Sequence, residues 1–168
     1  MPKIIENLDV KLMEEARKQI CESGYANVTI RSIAKACGVG VGTVYNYFPS
    51  KDALLATYMF KDWRNCMEVI NTATNAADSS EPVVRCIYEQ IKHFAGLHQS
   101  IFRDEAAIAS FHNTSGQYHA MLRSQLAAPL QKFCANDFAP EFIAEAMLCW
   151  TMTDKTFEEI FGMIQNCF

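Results

Sequence analysis

Apolar residues recur at helical spacing through most of this 168-residue chain, and no stretch alternates as a strand does. Leu8, Leu12, Ala16 and Ile20 form one stripe from about Asn7 to Ser23, closed by Gly24. Ile30, Ile33, Ala34 and Cys37 follow at i, i+3, i+4 and i+7, while Arg31, Ser32 and Lys35 take the other face. Gly38 ends that helix, where a left-handed residue is usually needed. After Val39 and Gly40, a second short helix runs to about Phe48 and stops at Pro49. Ser50 then caps a long helix in which Leu55, Tyr58, Met59, Trp63, Cys66, Met67 and Ile70 repeat at threes and fours. Continued to about Ala76, it would span about 39 Å at 1.5 Å per residue.

The loop Asp78-Ser79-Ser80-Glu81-Pro82 separates this helix from one predicted over 82–98. The next is expected to begin at Ser100, break at Asn113-Thr114-Ser115-Gly116, and give way to a helix over 117–135 kinked at Pro129. Pro140 opens the last region, with a possible break at Thr151–Thr153, so that it reads as one helix or two. The fold class is therefore all-α.

Half of the residues are hydrophobic, enough for a sizeable core. No charged-then-apolar leader and no apolar run near 18 residues stands in the chain, so a soluble, cytoplasmic protein without membrane contact is expected. Net charge is −4. Residues 1–55 hold seven Lys/Arg and six Asp/Glu, and residues 56–168 hold eight and thirteen. Any nucleic-acid contact at the N-terminal end would rest on a few placed side chains rather than on a strong field. The seven cysteines form no C-x-x-C pair and read as reduced thiols on apolar faces. The histidines 93, 98, 112 and 119 show no H-x-x-x-H pair and no carboxylate partner at ligand spacing, so neither a metal nor any other cofactor is expected.

Two short helices joined by a glycine turn read either as a generic helix pair or as a helix-turn-helix, whose second helix enters the DNA major groove. Thr29, Ile33, Ala34, Gly38, Val39, Gly42, Thr43, Val44, Tyr45, Tyr47, Phe48, Ser50, Lys51 and Leu54 stand in register with a known signature. On these residues the chain resembles the tetracycline-repressor (TetR) family of bacterial transcription regulators, over about residues 7–60. Two departures stand out. Cys37 replaces the usual alanine, and Gly40-Val41 replaces a capping serine and an often polar base reader.

The resemblance implies a three-helix DNA-binding domain over 1–50 and a helical effector-binding and dimerisation domain over 51–168, joined by the long helix. It implies DNA contacts from Thr29, Arg31, Val41, Gly42, Thr43, Tyr45, Asn46, Tyr47 and Lys51. Arg31 reads either as a guanine contact or as a solvated, phosphate-paired cation. Thr29 reads as a phosphate contact or as a helix cap. Lys51 is expected on a phosphate, and Val41 suits a thymine methyl. Val39, Val44 and Phe48 are expected in the motif's own core.

A homodimer would place two recognition helices about 34–36 Å apart on a near-palindromic double-stranded operator. Phe142, Met147, Trp150, Phe157, Ile160, Phe161 and Ile164 are expected at its interface, or else in an intrachain core. Trp63, Met67, Phe94, Phe102, Phe111, Tyr118 and Met121 are expected to wall a pocket for a small apolar effector of unknown identity, or else to be plain core. The function expected is a ligand-responsive regulator, usually a repressor, and not an enzyme. No nucleophile elbow, phosphate loop or carboxylate pair supports catalysis, so no catalytic residue is named. An architectural DNA binder without an effector is the alternative, and an all-helical enzyme is a more distant one.

Overall fold

The computed structural model describes residues 6–168. Residues 1–6, which the sequence reads as a loose arm with Lys3 its sole cation, lie almost wholly outside the described residues. Nine α-helices and two short 3-10 turns make up the described chain, with no strand among those residues. None of the helices is long and apolar enough to cross a membrane. The residues divide into two compact units, the first comprising the N-terminal segment to Lys61 with His98–His112, the second Asp62–Leu97 with Asn113–Phe168.

In the first unit, α1 (Leu8–Ser23), α2 (Ile30–Ala36) and α3 (Val41–Tyr47) precede the start of α4 (Lys51–Ala76). Leu12, Ala16, Ile33, Val44, Leu54 and Leu55 are essentially inaccessible and form the centre of its core. At the end of α1, Gly24 sits at φ 79, ψ 159, a region open essentially to glycine alone. The end of α2 forms a Schellman motif. Val39 N–H donates to the Ala34 carbonyl at 3.0 Å, Gly38 N–H to that of Lys35 at 3.2 Å, and Gly38 has φ +67. The core expectation holds for Val44 and Phe48, and Val39 is half-buried against them.

In the second unit, the rest of α4 packs with α5 (Ser80–Leu97), part of α7 (Glu105–Leu130), α8 (Ala139–Thr151) and α9 (Phe157–Ile164). Ile70, Val83, Val84, Ile87, Leu126, Leu130, Ile143 and Met147 are fully buried there. Lys132 Nζ donates to the Thr74 carbonyl at 3.1 Å and the Ala77 carbonyl at 2.7 Å, satisfying acceptors at the end of α4. Thr156 and Glu159 form a capping box at the start of α9.

Three expected boundaries are corrected. The helix expected over 100–111 is instead a four-residue α6 (Gln99–Phe102) followed by α7. Asp104 makes the break, because its Oδ1 accepts from the N–H groups of Ala106 and Ala107 at 3.0 and 3.2 Å and so caps α7. The expected break at 113–116 is absent, and α7 runs through it to Leu130. Gly116 has no positive φ, and a glycine inside a helix costs only about 1 kcal/mol relative to alanine. Pro129 stands one residue before the end of α7, so it marks a terminus rather than the middle of a longer helix. The last region is two helices, separated after Thr151.

Candidate DNA-binding surface

The sequence places α2 and α3 at the surface with one side each committed to the core. Thr29 Oγ1 accepts from Ser32 N–H at 3.0 Å, and Ser32 Oγ accepts from Thr29 N–H at 3.1 Å, a reciprocal capping box. The capping role of Thr29 is realised, and that bond leaves its hydroxyl proton available as a donor. Arg31 projects from the exposed side of α2.

On α3, Val44 is completely buried and fixes the inner side. Gly42, Tyr45, Asn46 and Tyr47 are exposed, Tyr45 by 52% and Tyr47 by 49%, while Val41 and Thr43 are half-buried. Two large aromatic side chains left in water on one short helix are unusual for a surface with no partner, and they carry hydroxyls suited to phosphate or base edges. Gly40 precedes the helix without a side-chain cap, as its lack of a hydroxyl predicts.

Lys51 has a different setting from the one its sequence position suggests. Its Nζ donates to the Tyr25 carbonyl at 2.8 Å and lies 3.6 Å from the centre of the Tyr25 ring. Burial, only partly offset by Asp52 and Asp104, lowers its pKa. Two of the three ammonium protons remain outside that carbonyl bond. Sequence reading missed the residues that build this corner. The Tyr25 hydroxyl donates to Asp52 Oδ1, Ser110 Oγ donates to Asp52 Oδ2, and Asp104 Oδ2 accepts from Tyr25 N–H at 2.9 Å. Burial first, and then the Asp52 hydrogen bond, push the Tyr25 phenol above its usual range. The run Asp104-Glu105-Ala106-Ala107 was the available signal, an N-cap followed by good helix formers.

The residues expected to wall a pocket are divided between the units. Trp63, Met67, Phe94, Tyr118 and Met121 belong to the second, whereas Phe102 and Phe111 belong to the first. Trp63 is buried, meets Phe94 edge-on with centroids 5.3 Å apart, and donates through Nε1 to Gln125 Oε1 at 2.6 Å. Phe102 is exposed, and Phe111 packs on the first unit's core. Of the residues expected at a dimer interface, Phe142 and Trp150 are exposed on α8. Met147, Phe157, Ile160 and Ile164 are buried in the chain's own core, with Phe161 partly buried against them. His119 does gain a carboxylate neighbour that spacing could not reveal, Glu145 of α8.

The short capped helix, glycine turn and outward-facing second helix form a helix-turn-helix, the arrangement that many DNA-binding domains of transcription regulators use. Residues 12–58 match the family described as bacterial regulatory proteins, tetR family, so over that segment the chain is similar to the DNA-binding part of that family. The chain is 23% identical over 145 residues to the HTH-type transcriptional regulator UidR of Escherichia coli (strain K12), an overlap covering 82% of this chain and 63% of that one. It is 29% identical over 84 residues to the uncharacterized HTH-type transcriptional regulator YuxN of Bacillus subtilis (strain 168), covering 48% of this chain and 29% of YuxN. The chain thus spans less than two thirds of these curated relatives. Its fold is similar to that of the TetR family repressor AlkX from Dietzia sp. Strain DQ12-45-1b, with a TM-score of 0.60 and 14% identity over 94% of this chain and 91% of AlkX.

Proposed function

We propose that the protein is a homodimeric, effector-responsive repressor that reads a near-palindromic operator with the outer side of α3. The observation that carries this reading is the exposed face of α3 with Tyr45, Asn46 and Tyr47, set by the Schellman turn at Gly38. Tyr45, Asn46, Gly42, Thr43 and Val41 would meet the groove, while Thr29, Tyr47 and Lys51 would hold the backbone and Arg31 a base or phosphate.

A second copy is the partner that best suits the exposed apolar side chains of the last two helices. Phe142 and Trp150 on α8 and Met163 on α9 are exposed by 48%, 53% and 81%. Such side chains on adjacent elements suit a symmetric interface. The buried Met147, Phe157, Ile160 and Ile164 would back this interface rather than touch the partner. An effector site within the second unit would draw on Trp63, Met67, Phe94, Tyr118 and Met121, with Gln125 as a polar group. Both α4 and α7 contribute residues to each unit, so repacking of the second has a covalent path to the first. Effector and operator would then weaken each other by equal factors.

Selection from random DNA duplexes tests the reading, combined with sedimentation of the wild type and Trp150→Glu. The wild type is expected to be a dimer and to enrich sites with dyad symmetry, half-sites about one helical turn apart. Trp150→Glu is expected to be monomeric and to bind far more weakly. A monomeric wild type, or enriched sites without symmetry, would overturn it.

A further inference from the structure

Three side chains that sequence spacing keeps apart meet in the second unit. α7 supplies His119, and α8 supplies Glu145 and Cys149 one turn apart. His119 Nε2 is 3.0 Å from Glu145 Oε1, and Cys149 Sγ is 3.3 Å from the same oxygen. One ligand atom from each residue lies within 4.8 Å of the other two. His119 and Glu145 are half-buried and Cys149 is exposed, so an ion from solution can reach them.

We propose that His119, Glu145 and Cys149 form a binding site for a divalent ion of the zinc class, tying α7 to α8. The donor set is an imidazole nitrogen, a carboxylate oxygen and a sulfur. Borderline-soft ions take this combination, whereas magnesium and calcium prefer oxygen alone. A tetrahedral zinc centre holds neighbouring donor atoms ~3.3–3.7 Å apart. The imidazole–carboxylate and thiol–carboxylate separations, 3.0 and 3.3 Å, would have to open by only a few tenths of an ångström to match it.

Arg123 Nη1 stands 3.4 Å from Glu145 Oε2, a cation beside the site. It engages Oε2, which His119 Nε2 also meets at 3.0 Å, so with Oε1 on the ion Oε2 would keep the guanidinium as an outer hydrogen-bond partner. The Cys149 thiol donates to Glu145. On binding, the S–H bond breaks, the sulfur's electron pair forms the metal–sulfur bond, and the proton leaves to solvent. Three protein ligands leave a fourth position to water or an exogenous donor, which makes the site exchangeable rather than a closed structural centre. All three ligands come from one chain, so a second copy need contribute none of them.

Titration of the reduced full-length protein with cobalt(II) tests this, followed by displacement with zinc(II). One cobalt per chain is expected, with a thiolate-to-cobalt charge-transfer band that zinc abolishes. Cys149→Ser should lose the band, and Cys21→Ser, an exposed thiol of the first unit, should keep it. His119→Gln and Glu145→Gln should each weaken zinc binding by about tenfold or more. Circular dichroism of the metal-free variants establishes that they fold. Absence of the band in the wild type, or its survival in folded Cys149→Ser, would reduce the cluster to a plain ion-pair network.

Discussion

Both units bury a continuous apolar core, seventeen of the described residues in the first and eighteen in the second, but they differ in backbone conformation. The first depends on backbone conformations that few residues can adopt. All the positive-φ positions among the described residues, Asn7, Gly24 and Gly38, belong to it. The second has none among its described residues. Volume can be filled by many side-chain combinations, whereas a left-handed turn admits little besides glycine. The turn between α2 and α3 is thus fixed by stereochemistry as well as by packing.

Core truncation should give the largest effects and should not distinguish the units. Ile33 and Ile143 are both fully inaccessible. Ile33→Ala and Ile143→Ala are each expected to cost about 2–5 kcal/mol in urea unfolding. A cost below about 1 kcal/mol for Ile33→Ala would show that the first unit's core is looser than its burial implies, and the contrast would then extend to packing.

Glycine substitutions separate the units by sign. A Cβ at Gly38 meets nothing within 4 Å, so the obstacle is its φ of +67 alone. Gly38→Ala is expected to destabilise by about 1–2 kcal/mol. Gly116 also has open space around it but lies inside α7 without a positive φ. Gly116→Ala is expected to stabilise by up to about 1 kcal/mol. Thermal melts of the two variants decide this, and a shift in the same direction for both would end the distinction.

The same contrast explains what the sequence made legible. The end of α1, the α2–α3 turn and the start of α4 follow from local signals: Gly24, Thr29, Gly38, Pro49 and Ser50. The outward side of α3 follows too, because Val44 must point in. The second unit was read less well where its signals conflict. Asn113-Thr114-Ser115-Gly116 looks like a loop, yet none of these residues forbids a helix, and packing on either side carries α7 through. The aromatic residues Phe102 and Phe111 match the Trp63 and Phe94 stripes in character, but fall in the first unit because Asp104 starts a new helix just after Phe102. Likewise His119 finds Glu145 and Cys149 only through the pairing of two helices, which spacing along the chain does not encode.

The smallest expected effect concerns acid and the first unit's use of a non-local carboxylate. Residual burial pushes the Asp104 carboxyl up, but the N–H groups of Ala107, Tyr25 and Ala106, with Lys51 nearby, outweigh it and leave its pKa below the usual value. A carboxylate with a depressed folded pKa adds stability that is present above the unfolded value of about 3.9 and is lost as pH falls through the folded one. Urea midpoints of the wild type and Asp104→Asn should therefore differ by a constant amount above about pH 5 and converge at lower pH. Glu145, Glu158 and Glu159 of the second unit are also lowered, Glu145 chiefly by His119, but they titrate alike in both proteins and cancel in the difference. A gap that persists unchanged into acid would mean that Asp104 acts as a neutral cap of α7 alone. The charge that fastens Tyr25 and Lys51 beside α7 would then play no part in holding the first unit together.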